Sequence, residues 1–258
     1  MSVDNSSQAQ QRLERPAGCF AMLRSMFNTL FALFWTAWCT SWAILKQYVS
    51  GDTTVVRRAT VDWWARGLVR LWPMHLEVKG KENIPQDEPC VYVCNHQSYA
   101  DIVALVMTLP MSAGFLAKKE LARVPFLSGS MRHSGHVFID RFSRDRAVEV
   151  LREAAVQVKG GKSVIVFPEG TRSADGRLLP FRTGAFRLAK QAGVPLVPIG
   201  LSGTQAILPK DAWCVRGGKV RVSIGTALSA QQVESMELRA LVAYAREQVA
   251  QLSGCSSR

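Results

Sequence analysis

The sequence predicts an α/β domain built on a mixed, largely parallel sheet that helices flank, preceded by a separate two-helix segment. Three observations carry this prediction. From residue 73 onward, short apolar runs alternate with stretches of helical periodicity, the pattern of strand–helix–strand units. Before it, an uncharged stretch over 26–45 is followed by an amphipathic stretch that ends at Pro73. With 258 residues, the chain is long enough to bury a sizeable core.

The composition indicates an anionic partner. The chain has 32 Lys and Arg against 20 Asp and Glu, a formal net charge of +12. Such an excess is typical of proteins that meet nucleic acid, an anionic membrane surface or an acidic substrate carrier. Seven tryptophans and an apolar fraction of 48% favour the membrane over nucleic acid. We therefore expect an anionic membrane as partner and no nucleic acid.

The six cysteines have no regular spacing, and no signal peptide is evident, so we expect free thiols in a reducing compartment. Cys90, Cys94 and His96 would share one face of a strand, which raises the possibility of zinc. No fourth ligand follows at the spacing of a metal site, and we predict no metal.

The N-terminal region divides into two parts. Residues 1–15 are rich in Gln, Ser and Arg and predict a disordered polar tail, and residues 16–72 predict a membrane-associating helical segment. The uncharged stretch 26–45 would be about 30 Å long as a helix, enough to cross a bilayer core. Polar residues dilute it, however, and basic residues flank both ends. A spanning helix and a helix lying in the interface both remain open.

A second helix is predicted over 54–72, with two opposite sides. The apolar side carries Val61, Trp64, Leu68, Leu71 and Trp72. The charged side carries Arg58, Asp62, Arg66 and Arg70. This pattern favours an interfacial helix whose basic side meets lipid headgroups. The alternative is a helix that packs on the globular domain and leaves its arginines in water.

Residues 73–258 carry the predicted α/β domain. Apolar runs predict strands at 75–80, 90–95, 114–118, 136–140, 163–170, 196–203 and 219–225. Helical periodicity predicts helices at 101–109, 144–159, 184–192 and 231–252. Sheets of this type place their chemistry in loops at the carboxyl ends of strands. His96, Asp140 and Glu169 each follow a strand run, which predicts a site there.

The stretch "VCNHQSYADI" pairs a histidine with an aspartate five positions later. A free imidazole titrates near pH 6.5, so a neutral His96 is a competent base in the cytoplasm. A carboxylate at Asp101 would fix its tautomer and stabilise the imidazolium. The nucleophile is either Ser98 or a hydroxyl of the substrate. A serine hydrolase is the weaker alternative, because the chain has no G-x-S-x-G elbow.

A second motif, "FPEGTRS" at 167–173, has the chemistry of a phosphate site. Gly170 permits a turn that exposes backbone amides, Thr171 adds a hydroxyl and Arg172 adds a planar guanidinium. Amides and an arginine fork together bind a phosphate dianion well.

Four blocks then occur in order: "NHQSYAD" at 95–101, "HVFIDR" at 136–141, "FPEGTRS" at 167–173 and "VPIGLSG" at 197–203. With the run "GRLLPFRTGAF" after the third block, the chain resembles the glycerolipid acyltransferases, specifically the 1-acylglycerol-3-phosphate acyltransferases of bacterial type. The resemblance covers about residues 75–210. It implies an acyltransferase domain over 73–258, in which His96 and Asp101 activate the free hydroxyl of an acceptor to attack an acyl thioester.

The resemblance also implies roles for other residues. The implied acceptor phosphate site comprises Lys118, Arg141, Glu169, Gly170, Thr171 and Arg172. Lys119 is an alternative to Lys118, and either lysine could instead be a solvated surface charge. Pro198 and Gly200 of the fourth block are expected to shape the acyl pocket, and Ser98 to begin the helix that follows it.

The implied reaction uses acyl-CoA or acyl carrier protein as donor and lysophosphatidic acid as acceptor, gives phosphatidic acid, and needs no other cofactor. We expect it at the inner membrane, with the active site on the cytoplasmic face. One alternative is the same chemistry on glycerol-3-phosphate or a lyso-aminolipid. Another is a non-catalytic membrane-binding protein with the same fold.

Overall fold

The computed structural model of the chain describes residues 19–51, 58–110, 113–118, 136–139, 147–210 and 215–256. The predicted tail 1–15 lies outside these ranges. Asp140, Arg141 and Lys119 also lie outside them.

Within these ranges a single sheet has seven strands, at the seven predicted positions. They are β1 Met74–Lys79, β2 Val91–Cys94, β3 Ala113–Lys118, β4 Val137–Ile139, β5 Ser163–Val166, β6 Leu196–Ser202 and β7 Gly218–Ile224. Their spatial order is β1-β7-β6-β2-β5-β3-β4. Every neighbouring pair is parallel except β6 and β7, which are antiparallel. The prediction of a mixed, largely parallel sheet is confirmed.

Helices cover both faces of the sheet. In chain order they are α1 Cys19–Ser50, a π-helix Ala59–Ala65 that continues as α2 Arg66–Leu71, α3 Ala100–Thr108, α4 Ala147–Lys159, α5 Gly184–Ala192, α6 Thr204–Ile207, α7 Ala230–Ser235 and α8 Leu238–Ser253. A 3₁₀ turn spans Lys81–Asn83. The single helix predicted over 231–252 is wrong, because the chain breaks into α7 and α8. The Glu237 carboxylate accepts the backbone N–H groups of Arg239 and Ala240 and so starts a new helix there.

Two apolar layers pack on the sheet, one on each face. The layer under α1, α2 and α3 includes Leu68, Trp72 and Leu105. The layer under α4, α5 and α8 includes Phe186 and Leu241. The central strands β2 and β5 are buried along their whole length, as expected for parallel strands covered on both faces.

Residues 58–72, the described part of the helix predicted over 54–72, belong to the domain's cover. Leu68 and Trp72 are buried in the core, and Trp64 Nε1 donates a hydrogen bond to Thr36 Oγ1 of α1 at 2.9 Å. The charged residues Arg66 and Arg70 are exposed. The apolar side therefore covers the sheet and α1 rather than entering lipid, which is the alternative that the pattern left open.

Among the side chains of α1 whose burial the structure describes, a narrow stripe is buried and most of the large apolar ones are exposed. The buried stripe consists of Ala32, Cys39, Thr40 and Ala43. The exposed apolar side chains include Leu23, Phe27, Leu30, Leu33, Phe34, Trp38 and Leu45. Much of the apolar side of α1 is therefore open to its surroundings.

Among the helices of the described ranges, none combines the length and the apolar character that a membrane crossing requires.

Candidate active site

His96 and Asp101 form a hydrogen-bonded pair at the carboxyl end of β2. His96 lies in the loop after β2, and Asp101 lies in the first turn of α3. The His96 Nδ1 atom is 2.8 Å from Asp101 Oδ2, and the aspartate side chain is fully buried. The imidazole stacks on Phe167, with 4.0 Å between ring centroids. This arrangement directs Nδ1 to the carboxylate and leaves Nε2 as the nitrogen that can take a proton.

The same carboxylate oxygen also holds the loop that carries the histidine. Asp101 Oδ2 accepts the backbone N–H groups of Gln97 at 2.7 Å and of Ser98 at 2.9 Å. Because an ionised carboxylate only accepts hydrogen bonds, the facing Nδ1 carries a proton. The pair predicted from the sequence therefore has the geometry of a steered general base.

Ser98 has a structural role. Its hydroxyl donates to the carbonyl of Leu208 at 2.7 Å and accepts the N–H of Ala100, the first residue of α3, at 3.0 Å. The residue is fully buried. The prediction that Ser98 helps to begin α3 is confirmed, and its only hydroxyl proton is committed to a backbone carbonyl.

The third block lies beside the histidine loop because β5 is the parallel neighbour of β2. After β5 the chain turns at Gly170, whose φ is +74°, a conformation that glycine adopts at little cost. Thr171 is exposed at this turn. The Arg172 guanidinium lies over the Tyr99 ring at 4.0 Å, so it reaches the stretch between His96 and Asp101. The structure thus brings the first and third blocks together, as predicted.

Both carboxylate oxygens of Glu169 are hydrogen-bonded to the backbone of the protein. Its Oε1 accepts the backbone N–H of His96 at 2.7 Å, and its Oε2 accepts that of Leu179 at 3.0 Å. The residue is 4% exposed, and burial raises the pKa of its carboxyl to about 7. Both oxygens are therefore used by the protein, and a carboxylate would repel a phosphate. These bonds give Glu169 a structural role in the histidine loop, and its assignment to the phosphate site stays a prediction from the sequence.

Pro198 and Gly200 lie on the other face of the sheet from the cavity described below. Successive strand residues point to opposite faces, and Ile199 belongs to the apolar layer under α1, α2 and α3. A Cβ on Gly200 would collide with the backbone of Leu252 and Ser253 in α8. Gly200 is needed for close packing of that helix, and the expectation that these two residues shape an acyl pocket is not supported by their position.

The side chains of two predicted cations lie outside the described part of the structure. Arg141 lies outside the described residues, and of Lys118 only the backbone is described, at the end of β3. Sequence reasoning also missed Arg182, whose Nε lies 3.1 Å from where a Cβ on Gly170 would be. The signal for it was the run "GRLLPFRTGAF", which follows the third block directly.

The two strand cysteines are core residues. Cys90 and Cys94 are fully buried, and burial raises the pKa of the Cys90 thiol to about 11 and that of Cys94 well above its ordinary value. Neutral thiols are poor metal ligands. In the part of the chain that the structure describes, no cluster of three or more His, Cys, Asp or Glu side chains could hold a metal ion.

An apolar cavity of about 640 Å³ lies between α1, α2, α3 and the third block. Its walls are Thr29, Ala32, Leu33, Thr36, Trp64, Leu68, Trp72, Tyr99, Ile102, Val103, Arg172, Leu208 and Val215. Arg172 is the only charged member of this lining. The cavity therefore joins apolar walls to a guanidinium, which suits an amphipathic anionic ligand. Its lining residues Tyr99 and Ile102 belong to the same stretch of chain as His96 and Asp101.

Comparison with known proteins gives consistent results. Residues 75–202 match the model of the family described as Acyltransferase. The chain is 42% identical over 164 residues to the chloroplastic 1-acyl-sn-glycerol-3-phosphate acyltransferase BAT2 of Brassica napus, covering 62% of this chain and 47% of that protein. It is 32% identical over 193 residues to the beta enzyme of that name from Homo sapiens, covering 74% of this chain and 69% of the human protein.

The fold also has a solved counterpart. The crystal structure of the 1-acyl-sn-glycerophosphate (LPA) acyltransferase PlsC from Thermotoga maritima superposes with a TM-score of 0.76 at 30% identity, over 90% of this chain and 95% of that one. The chain spans about half the length of the plant and algal relatives that it matches, 47% and 45%. Because the human and Thermotoga relatives are covered over more than two thirds of their length, the chain belongs to the 1-acyl-sn-glycerol-3-phosphate acyltransferase family.

Proposed function

We propose that this protein transfers an acyl group from an acyl thioester to the sn-2 hydroxyl of 1-acylglycerol-3-phosphate and so makes phosphatidic acid. The observation that carries the proposal is the His96–Asp101 pair. Between its two residues lies Tyr99, which carries the Arg172 guanidinium on its ring and lines the apolar cavity together with Arg172. The relatives named above act on the same acceptor by their names. The donor is proposed to be acyl-CoA or acyl carrier protein.

In the proposed reaction, His96 Nε2 accepts the proton of the acceptor hydroxyl while the hydroxyl oxygen bonds the thioester carbonyl carbon. Asp101 stabilises the imidazolium that forms. The carbon–sulfur bond then breaks, and the imidazolium returns its proton to the leaving thiolate, which gives an ester and a free thiol. A thioester is already activated, and backbone N–H groups can hold the developing oxyanion.

The acceptor's two ends suit the two parts of the site. The phosphate is proposed to bind at the third block, where Arg172 and the Gly170 turn lie, with Arg182 beside it. An acyl chain is proposed to enter the cavity, whose volume of about 640 Å³ is within the ordinary range for small-molecule sites.

Changing Arg172 to alanine is expected to raise KM for the phosphorylated acceptor far more than KM for the acyl donor. A hydrogen bond to a charged group is worth roughly 1.5–3 kcal/mol, or about ten- to a hundredfold in affinity. Steady-state kinetics with each substrate varied in turn measures both constants, and exposed Arg152→Ala on α4 is the matched control. Equal weakening of both substrates would place Arg172 outside the phosphate site. A panel of phosphorylated and unphosphorylated acceptors tests the proposed substrate itself.

The exposed apolar side of α1 supports a place at an anionic membrane. We propose that this side lies in the lipid interface, at the cytoplasmic face of the inner membrane, because the acceptor is a membrane lipid and the donor arrives from the cytosol. The same helix contributes to the cavity wall, so a lipid chain would have a short path from the membrane into the site.

Replacing Phe34 with lysine is expected to lower membrane affinity about ten- to a hundredfold, because burying one such side chain is worth about 1.5–3 kcal/mol. The measurement is flotation with vesicles that contain anionic lipid. Phe34 is 60% exposed, and the control Val156→Lys changes a residue that is 66% exposed on α4. If the two variants bind the vesicles equally well, α1 does not lie in the lipid interface. Deleting residues 1–72 is a poorer test, because Leu68 and Trp72 belong to the core.

A further inference from the structure

The backbone of His96 is held on both sides by the third block. Its N–H donates to Glu169 Oε1 at 2.7 Å, and its carbonyl accepts the N–H of Ser173 at 2.8 Å. These bonds come from β5's loop, whereas Asp101 holds the imidazole from α3. Three contacts from two elements thus determine where the base lies.

The second oxygen of Glu169 fixes the carboxylate itself. Oε2 accepts the N–H of Leu179, and the neighbouring backbone is held by the C-terminal part of the chain. Arg246 Nη2 of α8 donates to the carbonyl of Leu178 at 3.3 Å, and the carbonyl of Ser256 accepts the Leu178 N–H at 3.0 Å. Glu169 therefore bridges the histidine loop to a strand-like segment that α8 and the chain end hold in place.

We propose that Glu169 is a positioning residue, which holds the backbone of His96 so that Nε2 faces the acceptor hydroxyl, and that Arg246 supports the opposite end of this bridge. This inference rests on the proposed acyl transfer for its kinetic consequences. The two possible roles of Glu169 predict different kinetics. A positioning role affects the chemical step and therefore kcat, whereas a phosphate-binding role affects the affinity for the acceptor and therefore KM.

The chemistry of the bridge explains why the residue is a glutamate. Two backbone N–H donors separated in sequence need two acceptor oxygens at a fixed spacing, and one carboxylate supplies both. Glutamine would supply one acceptor and would turn an NH₂ group toward the second N–H. Alanine would leave both N–H groups without this partner. A graded response, wild type above glutamine above alanine, therefore follows from the geometry.

The test compares Glu169→Gln and Glu169→Ala with the control Glu153→Gln, an exposed glutamate on α4. We expect kcat to fall about ten- to a hundredfold in Glu169→Gln, as a small displacement of a catalytic group does, and further in Glu169→Ala. The KM for the phosphorylated acceptor should change by less than about twofold. The Arg246→Ala variant leaves the site residues intact. It should also lower kcat, by a smaller factor than Glu169→Gln does.

A second readout does not depend on turnover. The chain has 4 histidines, so the ring signals of protein labelled with ¹⁵N-histidine can be assigned by single substitutions. We expect the His96 ring signals, including the proton shared between Nδ1 and Asp101, to shift or broaden in Glu169→Gln and in Arg246→Ala but not in Glu153→Gln. If no acceptor is acylated by the wild type, the proposed function fails while these signals still report on the bridge.

Two results would overturn the inference. A rise in KM for the phosphorylated acceptor with kcat retained would return Glu169 to the phosphate site. Unchanged His96 signals, together with a normal kcat per folded molecule and a lower melting temperature, would give Glu169 a role in stability alone.

Discussion

Replacing His96 with alanine is expected to abolish acyl transfer while the protein still folds and binds membranes. Loss of a general base typically costs 10²–10⁴-fold in rate. The imidazole stacks on Phe167 at the site and belongs to neither apolar layer, so its removal leaves the core intact. The measurement is acceptor-dependent release of free thiol from an acyl thioester, with circular dichroism to check folding.

The matched variant is Ser98→Ala, which is expected to retain most of the activity. Its hydroxyl bonds only backbone groups of Leu208 and Ala100 in the described structure, so its loss affects the start of α3 and not the proton transfer. Turnover that disappears in Ser98→Ala, or an acyl-enzyme trapped on that serine, would instead support a hydrolase mechanism. Full activity of the His96→Ala variant would show that His96 is not the general base.

The parts of the fold that periodicity controls were predictable. Strands buried on both faces read as continuous apolar runs, and all seven runs are strands in the structure. Because parallel neighbours end at the same edge, the positions of His96 and Glu169 after β2 and β5 were enough to predict their proximity. The His96–Asp101 pair was predicted from its residue types and spacing, and the structure shows why the spacing works: Asp101 lies in the first turn of the helix that follows the histidine loop.

Contacts made through backbone atoms were not predictable. The partners of Glu169 are the N–H groups of His96 and Leu179, and every non-proline residue has such a group, so the sequence has no signal for the choice. The close packing of Gly200 on α8 was not predictable for a related reason. Which face of β6 it occupies depends on strand register, and a shift by one residue exchanges the faces.

The helix that ends at Pro73 shows a third limit. An amphipathic helix has the same pattern whether its apolar side meets lipid or the sheet of its own domain. In the structure Leu68 and Trp72 cover the sheet, and most of the exposed large apolar side chains of the described residues belong to α1. Whether the apolar side of such a helix meets lipid or the sheet depends on whether a sheet face is left uncovered, and that is a property of the whole fold.

Replacing Asp101 with asparagine is also expected to have a large effect on activity. It should lower kcat roughly 10²-fold or more, with little change in KM for the acceptor or for the acyl donor. Asp101 Oδ2 accepts hydrogen bonds from His96 Nδ1 and from the backbone N–H groups of Gln97 and Ser98. Oδ1 is buried and has no hydrogen-bond partner within the described residues. The asparagine carbonyl can therefore take the place of Oδ2, and its NH₂ group can take that of Oδ1.

This orientation keeps the proton on Nδ1 and preserves the geometry of the base, because the reverse orientation would oppose NH₂ to two N–H donors. What the variant loses is the negative charge that stabilises the imidazolium, so the effect should fall on kcat. It also buries an NH₂ group without a partner, which costs roughly 1–3 kcal/mol of stability. Kinetics at saturating substrates and thermal unfolding measure the two losses separately. A variant with wild-type kcat would show that the Asp101 charge has no part in the reaction, and that the carboxylate serves only to hold the loop.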